Sequence, residues 1–468
     1  MRPGHASVDP LPGWARAADF VALALAIIAL TVAVSGGFRL HLGAWRLALT
    51  SPLRPLSVAV AIVAVRHALA RHESMSTHLW TWVAGWGRSV PFVTASTVAL
   101  ATRPVMFLAG YLAVFMFGYA PGARPFHDFA SELQNLPLRW DTGWYLQIAR
   151  DGYQFTAAAG ASSQQNIVFF PGFPLLVRGA ALLLGNGQGA YVLGGTVTSF
   201  AAFVLALAYL YCLAREFLTA EQSTTALWLL AVYPFAIFYG AIYSESLFLL
   251  GTVGAFHHYR RGELVRAGGW GLLVGLTRPN GFLLSLPLAI CALERGPSTA
   301  RRLSFASATA AAMPVVGALM YSGFIWRLSG HPFAWAAGHA AWGRHYQGLA
   351  HLVTDHYRAV AGEGLSAYLS QQPYDFLNGL GVLFVLAAAW PVARRFSIAY
   401  AVFILINILP PLSTGGLLSA GRLSSVLFPA FLWLAAAVAP QYRAGWIAAF
   451  AAFQAFNAAL FYTWRPLF

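Results

Sequence analysis

Four short patterns carry most of the side chains that could do chemistry. The first runs Trp140-Asp141-Thr142-Gly143-Trp144-Tyr145 and on to Gly152-Tyr153. Trp144, Ile148 and Asp151 share a helical face, so the segment predicts a short amphipathic helix at a membrane surface, stopped by Gly152. Asp141 opens that helix, where a carboxylate either caps the first amides or acts as a base on a substrate hydroxyl. The second pattern is Phe169-Phe170-Pro171-Gly172-Phe173-Pro174. Its prolines rule out a regular spanning helix and leave an interfacial turn or the floor of a groove for an apolar ligand.

The third pattern joins Tyr233-Pro234 and Tyr239 to Tyr243-Ser244-Glu245-Ser246. Glu245 begins an apolar helix; so close to hydrocarbon, a carboxylate is a cap, is paired, or faces water. The fourth is Arg278-Pro279-Asn280-Gly281, an arginine and a break inside an apolar stretch. That guanidinium needs an anion, and three fit: a phosphate, a lipid headgroup, or Glu245. Arg422, at the start of a late helix, raises the same question.

Other chemistries lack their signatures. No GxSxG, P-loop or placed GxGxxG supports a serine hydrolase, an ATPase or a dinucleotide enzyme. His127-Asp128 and the scattered His331, His339, His345, His351 and His356 show no HExxH or clustered Cys/His spacing. These residues neither require nor exclude a divalent metal, and no other cofactor is called for. Cys212 and Cys291 both lie in apolar helices and offer no disulfide framework.

The elements that position these residues must sit in a bilayer. Hydrophobic types make up 59% of the 468 residues and charged types 9%, against about 25% charged in a soluble domain. Apolar runs recur from Val21 to Leu460, which predicts an all-α polytopic membrane protein of about 11–13 transmembrane or re-entrant helices. The net charge of +14 comes from arginine alone, with no lysine in the chain. Those arginines sit mostly between apolar runs, so the charge points to membrane lipids and not to nucleic acid. Ala15 to Val34 is long enough to stay as a first helix and not be cleaved as a signal. Arg66, Arg71 and Arg103 are expected at the cytoplasmic face, with Val105 to Tyr119 spanning outward. Polar stretches near 121–168 and 326–375 are expected as external loops. Basic flanks on both sides of Arg278 require an even number of crossings, hence two short helical legs with the Arg-Pro-Asn break between them.

Together and in order, the four patterns closely resemble the family of GPI mannosyltransferases that add the second mannose, with its prokaryotic relatives. The resemblance runs from about Val105 to the end of the chain. Residues 1–103 then look like an additional N-terminal transmembrane region ahead of a 104–468 glycosyltransferase domain. The family implies a GT-C fold, multi-pass in the cell membrane, with its active site on the extracytoplasmic face. It also implies transfer of a sugar, typically mannose, from a polyprenyl-phosphate carrier to an extracytoplasmic glycan, lipid or protein. Asp141 matches the position of the family's catalytic aspartate. Trp140, Tyr145, Tyr233, Tyr243, Glu245, Arg278 and Asn280 fall in the family blocks as candidates for substrate binding.

The reaction so implied is a one-step inverting displacement. Asp141 takes the proton of the acceptor hydroxyl, while Arg278, Arg344 or Arg422 meets the departing phosphate. Arg278 is the first choice because it sits at a helix break. Phe169, Phe170 and Phe173 are expected to line a groove for the isoprenoid tail. A transporter or lipid flippase is the main alternative, with Arg278 and Glu245 along its path, and calls for two halves with matching broken helices. A noncatalytic envelope scaffold is the third reading.

Overall fold

The computed structural model describes residues 12–35, 38–42, 45–49, 51–70, 74–157, 163–294 and 304–467. They are almost wholly helical, as an apolar chain must be where no water can satisfy its backbone. Among the described residues five helices are long and apolar enough to cross a membrane: Val90–Phe117, Gln188–Ala214, Phe305–Ser329, Pro373–Arg395 and Pro440–Tyr462. Shorter apolar helices cover Gly172–Leu183, Leu264–Thr277, Pro279–Leu293 and Ile398–Thr414. The chain is a multi-pass membrane protein. Two compact units can be distinguished, Met1–Val93 with Ala181–Ala190, and Thr94–Ala180 with Tyr191–Phe468.

In the first unit the helices Gly13–Ser35, Leu53–Leu69 and Met75–Gly87 are joined by one antiparallel hairpin. Its strands, Phe38–Leu42 and Trp45–Leu49, pair with Phe38 opposite Leu49 and Leu42 opposite Trp45. The all-α expectation stands, and the structure adds to it this one hairpin among the described residues. Its signal was the apolar–polar alternation of Phe38-Arg39-Leu40-His41-Leu42, a period of two that a helix does not produce. Arg66, in the last turn of Leu53–Leu69, is buried, with Nε and Nη2 each 2.8 Å from the Asp19 carboxylate. His78 Nδ1 shares that carboxylate at 2.8 Å. A guanidinium taken out of water needs such a partner. Arg71 lies outside the described residues.

The second unit begins within the Val90–Phe117 helix, which is longer than the Val105–Tyr119 run read from the sequence. Arg103 falls near the middle of that helix and is buried, so its expected place at the membrane edge is wrong. Its guanidinium donates to the carbonyls of Ala231 and Ala236. Ala231 ends the Ala220–Ala231 helix and Ala236 opens the 3₁₀ turn Ala236–Tyr239, so the arginine ties together the two sides of the break at Pro234. Gln454 and Asn457 serve the same break, donating to Tyr233 O at 3.1 Å and Pro234 O at 3.0 Å.

Around Arg278 the two short legs are present. Leu264–Thr277 ends at Arg278, a 3₁₀ turn covers Pro279–Leu284, and Ser285–Leu293 continues the chain. Gly281 permits the turn: a Cβ there would lie 2.1 Å from Val274 O. The first leg packs against Phe305–Ser329 through small residues, and a Cβ on Gly275 would lie 2.0 Å from Pro314 O. The late apolar run is broken as well, into a short Ala420–Ser425 helix that carries Arg422 and a Pro429–Ala437 helix.

Candidate active site

Glu245 opens the Glu245–Arg260 helix and is fully buried, which a carboxylate tolerates only when it is paired. Its Oε1 accepts from Arg278 Nη1 at 2.7 Å and from Arg422 Nε. Arg422 turns Nη1 to Asp141 Oδ2, 2.7 Å away. One guanidinium therefore bridges two carboxylates, and the polar chain runs Asp141–Arg422–Glu245–Arg278. Aromatic faces flank its cations. The Arg422 Cζ is 4.5 Å from the Tyr243 ring centre and 5.3 Å from that of Phe238, and Arg278 lies 5.5 Å from Phe248.

Asp141 stands at the cap position of the Thr142–Asp151 helix, but its carboxylate accepts no first-turn amide. Of the two readings, capping is not the one realised. The backbone carbonyl of Asp141 takes the amides of Trp144 and Tyr145, at 3.0 and 3.3 Å. The side chain turns to Arg422 and keeps 21% of its surface exposed, enough for a substrate to reach. Its direction is set by neighbours. Trp140 adopts a left-handed backbone, φ 52°, and its indole N–H donates to Phe461 O at 3.0 Å. The Asp141 amide donates to the Tyr243 hydroxyl at 3.0 Å. Gly152, at φ 83°, stops the helix where the sequence placed its end.

The other candidates divide between this cluster and its supports. Tyr145 joins it from below, its hydroxyl 3.0 Å from Ser244 Oγ and its ring against Phe169, Phe173 and Tyr243. Tyr233 is buried and bonded to Ser424 Oγ at 2.8 Å, so it braces the short helix that carries Arg422. Asn280 donates to Asn407 Oδ1 at 2.8 Å and ties the Arg278 break to the Ile398–Gly415 helix. Phe170 and Phe173 do not line an open groove. Both are buried, at 1% and 0% exposure, with Phe170 packed on Tyr321 and Trp335. Phe169 alone of the three remains half-exposed.

Arg344 lies in the loop after the Gly338–Trp342 turn and donates to Leu418 O at 3.3 Å. Burial pushes its guanidinium down to about 10; Arg422 and Arg278 push the same way, and Asp141 opposes them. Arg344 thus shares the field of the cluster, without a carboxylate of its own among the described residues. Three arginines face two carboxylates. Phe238 and Trp342 also belong to the surroundings and were not singled out from the sequence; for Trp342 the one available signal was its place near Arg344. Among the described residues no three His, Cys, Asp or Glu side chains gather as a metal site. With both site carboxylates held by arginines, the residues present do not fit a divalent cation.

The family model described as Mannosyltransferase (PIG-V) matches residues 127–325. The GPI alpha-1,6-mannosyltransferase 2 of Mus musculus is 34% identical over 170 residues, covering 34% of this chain and 32% of its own. The Homo sapiens protein of that name is 33% identical over 132 residues, 27% of this chain and 25% of its own. The chain therefore spans about a third of the length of the curated relatives it matches. A crystal structure of the Archaeoglobus fulgidus oligosaccharyltransferase with Zn and sulfate aligns with 78% of this chain and 53% of its own. Its TM-score of 0.37 and 13% identity are too low to relate individual residues. The matched family segment contains Asp141, Glu245 and Arg278 and ends before Arg344 and Arg422.

Proposed function

We propose that this chain, which is related to the PIG-V mannosyltransferase family, is a membrane glycosyltransferase of the GT-C type. In this reading it moves mannose from a polyprenyl-phosphate carrier to an acceptor on the extracytoplasmic side. The charge count at the site carries the reading: Arg278, Arg344 and Arg422 against Asp141 and Glu245. A surplus positive charge beside a reachable carboxylate suits a substrate pair that brings a phosphate and a reacting hydroxyl.

The acceptor oxygen attacks the anomeric carbon as Asp141 takes its proton. The bond from that carbon to the phosphate oxygen breaks, its electrons leave with the lipid phosphate, and the carbon inverts. General-base assistance supplies about 10²–10⁴ in rate, so alignment and charge stabilisation supply much of the rest. Arg344 and Arg422 meet the departing phosphate, whereas Arg278 acts through Glu245 to hold Arg422. This order differs from the one expected from the sequence, where Arg278 came first. An arriving phosphate competes for Arg422 and so frees the Asp141 carboxylate for the hydroxyl.

The test supplies purified protein with radiolabelled polyprenyl-phosphate mannose, arabinose or glucose and a membrane extract. Label should pass from the mannose donor to a product that resists release of the carrier. No labelled product from any of the donors sinks the reading.

A further inference from the structure

Trp144, Phe169 and Trp342 meet beside the acid–arginine chain. Trp144 lies one helical turn after Asp141 and is stacked on Phe169, with centroids 6.0 Å apart and 18° between planes. Trp342 stands across both at 5.9 Å, two residues before Arg344. None of the three belongs to a helix long enough to cross the membrane.

Their neighbours show what packing alone does to such rings. Phe170, Phe173 and Trp335 are buried, whereas Trp144, Phe169 and Trp342 are half-exposed. The indole N–H groups differ too. That of Trp335 donates to Ser322 Oγ at 2.9 Å and that of Trp140 to Phe461 O at 3.0 Å. Trp144 and Trp342 donate their indole N–H to no protein group among the described residues, and neither N–H is enclosed. A ligand suited to this surface offers an apolar face and, around it, hydrogen-bond acceptors. A pyranose ring does both. Its C–H face carries partial positive charge toward the electron-rich ring faces, and its hydroxyl oxygens accept from indole N–H. An isoprenoid chain uses only the first.

We propose that Trp144, Phe169 and Trp342 form a platform that seats a pyranose ring between Asp141 and Arg344. The proposal rests on the transferase reading for the presence of a sugar, and on this geometry for its seat. Phe169 thereby serves the sugar and not the isoprenoid tail.

The full chain in nanodiscs is tested by saturation-transfer NMR with methyl α-D-mannopyranoside and methyl α-D-glucopyranoside. The parent protein should saturate the C–H protons of one sugar face. Trp144→Leu and Trp342→Leu should each weaken that binding by roughly three- to tenfold, and Trp144→Phe should retain most of it. No saturation with the parent, or equal saturation with the Leu variants at an unchanged melting temperature, overturns the platform. Transfer assays separate the source of the ring: a raised donor KM assigns the platform to the donor sugar, and a raised acceptor KM to an acceptor sugar. Transfer with both KM values unchanged in the Leu variants overturns the platform and leaves the transferase standing. Pyranoside binding that the Leu variants lose, without transfer from any lipid-linked sugar, keeps the platform and removes the transferase.

Discussion

The Arg422 guanidinium donates to the Asp141 carboxylate across 2.7 Å, although 281 residues separate the two. The pair holds the carboxylate in one direction, toward the exposed side of the cluster. Asp141→Asn keeps the size of the side chain and removes the base. Transfer should fall by about 10²–10⁴ while the protein stays folded. Polyprenyl-phosphate binding should persist, because Arg422 loses only a competitor. Full turnover by normally folded Asp141→Asn protein excludes the base role.

Glu245 holds two arginines with one carboxylate oxygen. Glu245→Gln leaves both cations buried without their shared charge partner. A destabilisation of about 3–5 kcal/mol is expected, read as a lower melting temperature in detergent, with loss of transfer. A variant that melts with the parent would show that the pairing does not hold the site together.

Arg344 has a different fate. Among the described residues its guanidinium makes one protein hydrogen bond, to Leu418 O, so Arg344→Gln should melt with the parent. Affinity for polyprenyl phosphate should drop by about 10- to 100-fold, the range expected when one charge-assisted contact is lost. An equal affinity by direct titration takes Arg344 out of the phosphate site.

His339 predicts a pH dependence in the segment that follows the Phe305–Ser329 helix. Burial pushes its imidazole down to about 4, and Arg344 adds to the effect. An unfolded histidine protonates near 6.5. Because the folded value is the lower, the unfolded chain binds more protons between these limits. The contribution to stability is whole above about 6.5 and is lost progressively as the pH falls toward 4. Hydrogen exchange of residues 334–348 should accelerate over that window in the parent and stay flat in His339→Gln. The same acceleration in both would assign it to another group.

What the sequence disclosed follows the range of each interaction. The Arg278 break was legible because proline, glycine and basic flanks are all local, and Glu245 already stood among its three candidate partners. The direction of the Asp141 side chain was not, since its partner is remote. Arg103 misled for the same reason: the carbonyls it serves arise at a break 128 and 133 residues further on. Phe169 and Phe170 are adjacent and chemically identical, yet one is half-exposed and the other enclosed. The backbone at Phe169 is extended, φ −92° and ψ 124°, which turns successive side chains to opposite sides, and composition holds no trace of it.

The residues leading into Asp141 are tied to the last long helix. Arg139 Nε donates to Tyr462 O at 2.9 Å, and the Trp140 indole to Phe461 O at 3.0 Å. A ribosome releases Phe461 and Tyr462 more than three hundred positions after Trp140, so the nascent aspartate waits through the synthesis of every helix between them without the latch that aims it. Assembly of the polar cluster is thereby deferred until the Pro440–Tyr462 helix has been made.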